Sequence, residues 1–153
     1  MRRTALLRKT PLKRGTKRLA KQRKDSVGKL KIRLWELCKK ITRARYANPD
    51  GTWNCYTCDA RITDPQSAHT GHMIARASGG ASLYFNLNQL RVQCPLCNLW
   101  RGGEGAIFLH RLIKEIGQAS VDELMALRTK MVKADRFFYQ ALIDEYEKEA
   151  ERL

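Results

Sequence analysis

Two cysteine pairs, Cys55-Tyr-Thr-Cys58 and Cys94-Pro-Leu-Cys97, stand on either side of the segment His69-Thr-Gly-His-Met-Ile74. Each pair can supply two thiolates from one tight turn, so the two pairs together complete a tetrahedral site of four sulfur ligands. A site filled in this way has no open coordination position, which is typical of structural rather than catalytic zinc. We therefore predict a structural zinc ion. Two disulfides, a redox pair and an iron–sulfur cluster are the alternatives.

The chain length and the cysteine framework together suggest the architecture. A chain of 153 residues forms one domain, or one small domain with appendages. We predict an α+β fold with a zinc-stapled core at residues 48–117, built from a short β-hairpin and a helix. A basic arm at 1–26 and a basic amphipathic helix at 27–47 precede it, and a helical segment at 118–153 follows. A metal staple suits a core of about 70 residues, because its apolar interior alone is marginal.

Hydrophobic spacing and turn signals locate the elements. Apolar residues recur at helical spacing in the segment 27–46, and Cys38 falls on that apolar face, which favours a core residue over a metal ligand. Residues 52–62 read as a hairpin and residues 68–75 as a strand. A helix over 104–116 is expected to end at Gly117.

A capping-box pattern marks the start of the last helical segment. Ser120-Val-Asp-Glu123 has the serine and the glutamate at the spacing that the motif requires. We therefore predict that the final helical segment begins there, with a possible interruption near residues 128–134.

The charge is strongly positive and uneven. The net charge is +15, and residues 1–24 carry eleven Lys or Arg and no acid. This asymmetry indicates a polyanion partner, DNA or RNA, whereas the alternative is a solvated tail without a specific partner. The candidate DNA-contacting residues of the arm are Arg2, Arg3, Arg8, Lys9, Lys13, Arg14, Lys17 and Arg18.

Neither a membrane segment nor a signal peptide is predicted. No apolar run approaches the about 18 residues that span a bilayer, and no apolar stretch follows the basic start. We therefore expect no membrane partner and a cytoplasmic setting. There, paired cysteines bind metal more often than they form disulfides.

Four motifs carry a resemblance to a known family. They are Cys55-x-x-Cys58, Thr70-Gly-His-Met-Ile-Ala-Arg76, Phe85-Asn86 and Gln93-Cys-Pro-Leu-Cys-Asn98. Together they resemble the HNH, or ββα-metal, nucleases, and more narrowly the lambdoid-phage recombination proteins of the NinG (Rap) family. The resemblance spans about residues 46–125 and includes Leu112-Ile-Lys-Glu-Ile-Gly117 and Val121-Asp-Glu-Leu124.

The resemblance implies an activity. NinG-like proteins are endonucleases of branched recombination intermediates such as Holliday junctions and D-loops, so branched DNA is the expected substrate and other recombination proteins are possible partners. A phage-encoded chain would work in the bacterial host cytoplasm. A second divalent ion, Mg²⁺, Mn²⁺, Ni²⁺ or Zn²⁺, is expected for catalysis. Symmetric cutting of a junction would need two sites, hence a homodimer or two monomers. A non-catalytic zinc-containing DNA-binding or accessory protein is the main alternative, and a homing-type nuclease is a weaker one.

By the same resemblance, His72 is the general base. A neutral imidazole has a suitable pKa for this near neutral pH, although a core or supporting histidine is the alternative. The amide that braces the base is unassigned among Asn86, Asn88 and Gln89, of which Gln89 fits by position and Asn88 is one residue earlier.

The expected ligands of the second ion depart from the family pattern. His69 stands where the family has an acidic residue, and Asn98 stands where the HNH pattern ends in histidine. His69 is either a ligand or a surface or structural histidine, and Asn98 either binds the ion or caps a helix. Glu104 is an outside candidate for a carboxylate ligand.

Other residues near the motifs have two interpretations each. Arg76 and Arg101 are candidate phosphate contacts or plain surface cations. Trp53, Tyr56 and Trp100 either pack in the core or stack on unpaired bases. His110 is interpreted as a structural or surface residue.

Overall fold

The structure is a computed structural model that describes residues 25–75, 80–130 and 132–153. The arm residues from Arg2 to Arg18 and the candidate phosphate contact Arg76 lie outside the described residues. In the described part of the chain the α-helices are α1 Val27–Arg45, α2 Ala81–Tyr84, α3 Gly105–Ile116, α4 Gln118–Ala126 and α5 Arg136–Ala150. The strands are β1 Trp53–Asn54, β2 Arg61–Ile62, β3 His69–His72 and β4 Leu90–Gln93. A 3₁₀-helix spans Leu87–Gln89, and a π-helix spans Leu96–Trp100.

Helix α1 confirms the helical spacing of its apolar residues. Leu30, Leu34, Cys38 and Ile41 are all buried on one face, and Cys38 is the predicted core residue rather than a metal ligand. The helix begins after Ser26, whose hydroxyl oxygen accepts a hydrogen bond from the Lys29 amide at 3.4 Å.

Helix α5 packs against α1 and completes the larger apolar cluster. Tyr139, Ile143 and Tyr146 are its buried residues, and the Tyr146 hydroxyl donates to the Phe85 carbonyl at 2.9 Å. The ion pairs Arg33–Glu147 and Arg45–Glu149 join the two helices at their surface. The final segment is interrupted as expected, because α4 ends at Ala126 and α5 begins at Arg136.

The predicted capping box is wrong. Ser120 lies inside α4, which begins at Gln118 and has Gly117 at its N-cap position. Gly117 has φ 85° and ψ 155°, so it both ends α3 and turns the chain into α4. An N-cap residue needs a non-helical backbone, and Ser120 is already within the helix.

The two small sheets place the histidine segment. Strands β1 and β2 form the expected hairpin, with Trp53 opposite Ile62. Strand β3 pairs antiparallel with β4, with His69 opposite Gln93 and His72 opposite Leu90. The observed strand covers His69–His72, so it is shorter than the predicted strand at 68–75.

A glycine is required within β3. A Cβ atom at Gly71 would collide with the side chain of Gln93. That side chain donates hydrogen bonds to the Thr57 hydroxyl at 3.1 Å and the Gly103 carbonyl at 2.8 Å. Gln93 thus connects the first cysteine turn with the loop that follows the second.

Buried Arg91 connects β4 to α3. Its guanidinium donates to the Glu115 carboxylate at 2.8 and 3.0 Å and lies over the rings of Tyr46 and Tyr56. Both tyrosine hydroxyls also donate to Glu115, at 3.1 and 2.7 Å. The buried charge of Arg91 is thereby paired with the carboxylate of Glu115 on α3.

No helix within residues 25–75, 80–130 and 132–153 has both the length and the apolar character needed to cross a membrane. The predicted division of the chain at residues 26, 47 and 117 stays a prediction.

Candidate metal centre and histidine cleft

The four predicted cysteines meet at one point. The Sγ atoms of Cys55, Cys58, Cys94 and Cys97 all lie within 4.8 Å of one another, and those of Cys58 and Cys94 are 3.8 Å apart. A tetrahedral zinc site with Zn–S bonds of about 2.3 Å has sulfur atoms about 3.8 Å apart. A disulfide would need about 2.05 Å, and all of these cysteines are free. The donor set therefore fits a zinc ion.

Backbone hydrogen bonds shape the first cysteine turn. The Cys55 amide donates to the Ala60 carbonyl at 2.8 Å, and the Asp59 amide donates to the Cys55 carbonyl at 2.9 Å. Asp59 has φ 59°, in the left-handed region that aspartate tolerates better than most residues. Its carboxylate accepts two hydrogen bonds of 2.6 Å from Arg111, which fastens this turn to α3.

The second cysteine turn leads directly into the π-helix. The Cys97 amide lies 3.5 Å from the Cys94 sulfur, and the Asn98 amide donates to the Cys94 carbonyl at 3.0 Å. Asn98 is thus held one residue beyond Cys97, a candidate zinc ligand. It lies inside the π-helix, whose N-cap is Pro95, and α3 has Glu104 at its N-cap. The predicted helix-capping role of Asn98 is therefore wrong.

His72 stands at the end of β3, half-buried and held on several sides. Its Nε2 atom lies 3.1 Å from the Tyr84 carbonyl oxygen. A carbonyl can only accept, so a neutral ring carries its proton on Nε2 and its basic lone pair on Nδ1. The ring stacks on Trp35 with centroids 5.2 Å apart and an interplanar angle of 16°.

Gln89 supports the segment that provides this carbonyl. Its side chain is 1% exposed, and its Oε1 atom accepts from the Ile74 amide at 3.2 Å, while its Nε2 donates to the Leu83 carbonyl. Gln89 therefore ties the chain after β3 to α2, next to Tyr84. Gln89 therefore influences the position of His72 through two backbone segments, the one at Ile74 and the one at Leu83.

Asn86 and Asn88 lie elsewhere. The Asn86 side chain accepts from the Asn88 amide at 2.9 Å and begins the 3₁₀-helix, and Asn88 is exposed. Both line a cleft that they share with Ser120 and Glu123, and neither is among the residues that line the cleft of His72.

The cleft of His72 has a volume of about 340 Å³. Its walls come from β3 and the residues just after it, from the π-helix and from the Gly102–Gly103 pair. They are Thr70, His72, Ala75, Asn98, Leu99, Gly102 and Gly103. Asn98 also reaches His69, whose Nδ1 atom lies 3.3 Å from the amide nitrogen of Asn98. Asn98 thus contacts His69 and shares the cleft with His72, whereas His69 is not among the cleft walls.

A second metal site remains a prediction. His69 and Asn98 are in contact, and either could bind an ion at this place. In the described residues the four cysteines form the one group of three or more His, Cys, Asp or Glu side chains close enough to share a metal. Glu104 contacts Arg101 at 3.5 Å.

The remaining predicted residues divide between surface and core. Arg101 is half-exposed, directly precedes Gly102 of the cleft wall and contacts Glu104, and its role as a phosphate contact stays a prediction. Trp53 donates from its ring to the Arg43 carbonyl at 2.8 Å, and Tyr56 packs on Phe108 at 4.8 Å, so both serve the core. Trp100 and His110 are exposed. The Trp35–His72 stack was not anticipated, because Trp35 is 37 positions away in the sequence.

Fold and site define an α+β protein with a four-cysteine centre that can hold zinc beside a histidine cleft. The family described as Bacteriophage Lambda NinG protein matches residues 2–153. The chain therefore belongs to the NinG family. This match extends well beyond the span of 46–125 that the motifs indicated. No curated protein and no solved structure matches the chain significantly.

Proposed function

We propose that this protein is a metal-dependent DNA endonuclease of the HNH type that acts on branched DNA in phage recombination, with His72 as the general base. The observation that carries the proposal is the hydrogen bond of 3.1 Å between His72 Nε2 and the Tyr84 carbonyl, at a cleft next to the cysteine centre. This bond orients the ring and selects the tautomer whose Nδ1 atom is basic.

The chemistry follows from what phosphodiester hydrolysis requires. Nδ1 of His72 would accept the proton of the attacking water, and the Tyr84 carbonyl would stabilise the positive ring that results. Arg101 lies between the cleft walls Leu99 and Gly102 in the chain, and it would bind a phosphate oxygen. A divalent ion, when bound, supplies charge neutralisation at the phosphate, and His69 and Asn98 are the residues that would hold it.

The order of elements also supports an HNH-type centre. Strands β3 and β4 form an antiparallel pair, and the short π-helix with Asn98 follows β4 after the second cysteine turn. Of these elements, β3 and the π-helix line the cleft, and β4 pairs with β3. The cysteine centre holds the helix against the strands, so the side chains at the cleft need little rearrangement to react.

The charge distribution supports DNA as the partner. The net charge is +15, and the solvent-facing side of α1 carries Lys29, Lys31, Arg33 and Lys40. Phosphate neutralisation by such residues makes affinity strongly dependent on salt. One cleft cuts one strand, so resolving a junction would need two copies.

The test is a cleavage assay with matched histidine variants. Zinc-loaded protein is incubated with a four-way junction, a D-loop and plain duplex while Mg²⁺, Mn²⁺, Ni²⁺, Co²⁺ or added Zn²⁺ is supplied. His72→Ala should abolish cutting without changing zinc content or DNA affinity. His110→Ala, at an exposed histidine of α3, is the control and should cut normally. Cutting by His72→Ala would reject His72 as the base.

A non-catalytic DNA-binding zinc protein is the second candidate. The observation in its favour is that the described residues contain no second group of three His, Cys, Asp or Glu side chains near the cleft. It predicts tight, salt-sensitive binding without strand cleavage under any of the ions. The same assay distinguishes the two, because only the nuclease yields products that disappear with His72.

A further inference from the structure

An exposed apolar edge borders the histidine cleft. Leu99 and Trp100 lie at the end of the π-helix, with 62% and 81% of their surfaces exposed. The other tryptophans, Trp35 and Trp53, are at least half-buried. A large aromatic side chain this far from any core packing is well suited to contact a partner.

The edge is continuous with the cleft. Leu99 is one of the cleft walls, together with His72 and Asn98. Trp100 comes next in the chain, and the half-exposed cation Arg101 follows it. The edge therefore presents an apolar surface and a positive charge side by side, on the rim of the cavity where a phosphate would react.

The edge is also rigid. The Arg101 amide donates to the Leu96 carbonyl at 3.0 Å, and the Gly103 amide donates to the Cys97 carbonyl at 2.8 Å. Cys97 belongs to the cysteine centre, so the backbone beneath Leu99 and Trp100 is anchored at a metal ligand. A surface fixed in advance loses little conformational freedom when it binds.

We infer that Leu99 and Trp100 form a stacking wedge that receives unpaired bases of a DNA branch beside the phosphate at His72. Aromatic side chains stack on bases of any sequence, and such contacts dominate the binding of unpaired strands. The bases of an intact duplex are already stacked and paired, whereas displacing a base at a branch point costs little unstacking and unpairing free energy. The wedge would therefore favour branched over plain duplex DNA. This inference rests on the proposed function, because it names the substrate feature that the site selects.

The test measures binding separately from cleavage. All variants are made in the His72→Ala background, and each substrate is a four-way junction or a duplex with 2-aminopurine at the branch point or its duplex equivalent. Trp100→Ala should weaken junction binding about 10-fold and abolish the fluorescence change at the branch, and duplex affinity should stay nearly constant. Trp100→Phe should restore most of both signals, because it keeps an aromatic face.

A matched control and a mass measurement make the outcome decisive. Phe137 on α5 is 79% exposed, so Phe137→Ala removes an equally exposed aromatic side chain from a different element and should leave junction binding unchanged. Equal losses on junction and duplex, or no loss at all, would overturn the wedge. A fall from dimer to monomer with Trp100→Ala would also overturn it and identify the edge as a contact between copies. Branch fluorescence that depends on Trp100, together with no cutting by the protein that retains His72 under any of the ions, would retain the wedge and reject the nuclease.

Discussion

The Nε2 atom of His72 lies 3.1 Å from the carbonyl oxygen of Tyr84, so a backbone group of α2 orients the histidine at the end of β3. The two residues are twelve positions apart, and the Gln89 side chain holds the intervening segment through Ile74 and Leu83. The orientation of the ring therefore depends on the buried Gln89 amide, which fixes the segment that carries the Tyr84 carbonyl.

Removing the Gln89 amide should weaken both the fold and the site. Gln89→Leu leaves the Ile74 amide and the Leu83 carbonyl without these partners in a buried place, which we expect to lower the free energy of unfolding by about 1–3 kcal/mol. Urea denaturation at constant zinc measures this loss. The proposed cleavage rate should fall in step, because the Tyr84 carbonyl shifts.

Asn88→Ala is the matched control for Gln89. Asn88 is exposed, so its truncation should change the unfolding free energy by less than about 0.5 kcal/mol. If Asn88→Ala impaired cleavage more than Gln89→Leu did, the bracing role would belong to Asn88.

Zinc binding should depend on the four cysteines of the centre and not on the fifth cysteine, Cys38. Cys58 is exposed, but it is one of the four sulfur donors. We therefore expect Cys58→Ala to lose both bound zinc and cooperative unfolding. Cys38→Ala should keep about one zinc per chain, because Cys38 lies in the α1–α5 cluster. Metal analysis of the purified variants measures both.

Alkylation gives an independent check on Cys38. Burial raises the pKa of the Cys38 thiol to about 12, so it stays protonated and unreactive at neutral pH. Rapid labelling of Cys38 in the native, zinc-loaded protein would contradict its place in the core.

The Arg91–Glu115 pair should make stability depend on pH. Burial raises the pKa of the Glu115 carboxyl, but the hydrogen bonds from Arg91 and Tyr56 outweigh it and hold that pKa below its ordinary value. The stabilisation is therefore complete above the unfolded pKa of about 4.3 and is lost as the pH falls through the folded value.

Glu115→Gln tests this dependence. At neutral pH we expect the variant to be about 1–3 kcal/mol less stable than the wild type, less than for a fully buried pair because solvent screens Glu115. The difference should shrink at low pH, as measured by urea denaturation between neutral and acidic conditions. A constant difference across this range would mean that the charge of Glu115 contributes little.

Local pattern was a reliable guide where local chemistry decides structure. The helical spacing of Leu30, Leu34 and Ile41 predicted α1, and Gly117 marked the end of α3. The capping box at Ser120 failed because Gly117 had already turned the chain into α4. A motif of four residues does not indicate where the preceding helix ends. Because α3 ends at Gly117, α4 begins at Gln118, before Ser120.

The cysteine spacing alone was enough to specify the donor set for zinc, since thiolates in pairs three positions apart leave few other arrangements. The histidine segment supplies Thr70 and His72 to the cleft. Only the tertiary structure decided that Tyr84 holds His72, that Asn98 meets His69 and that Trp100 faces solvent. A backbone carbonyl is the same in every residue, so its role depends on long-range pairing and packing, which no short stretch of sequence records.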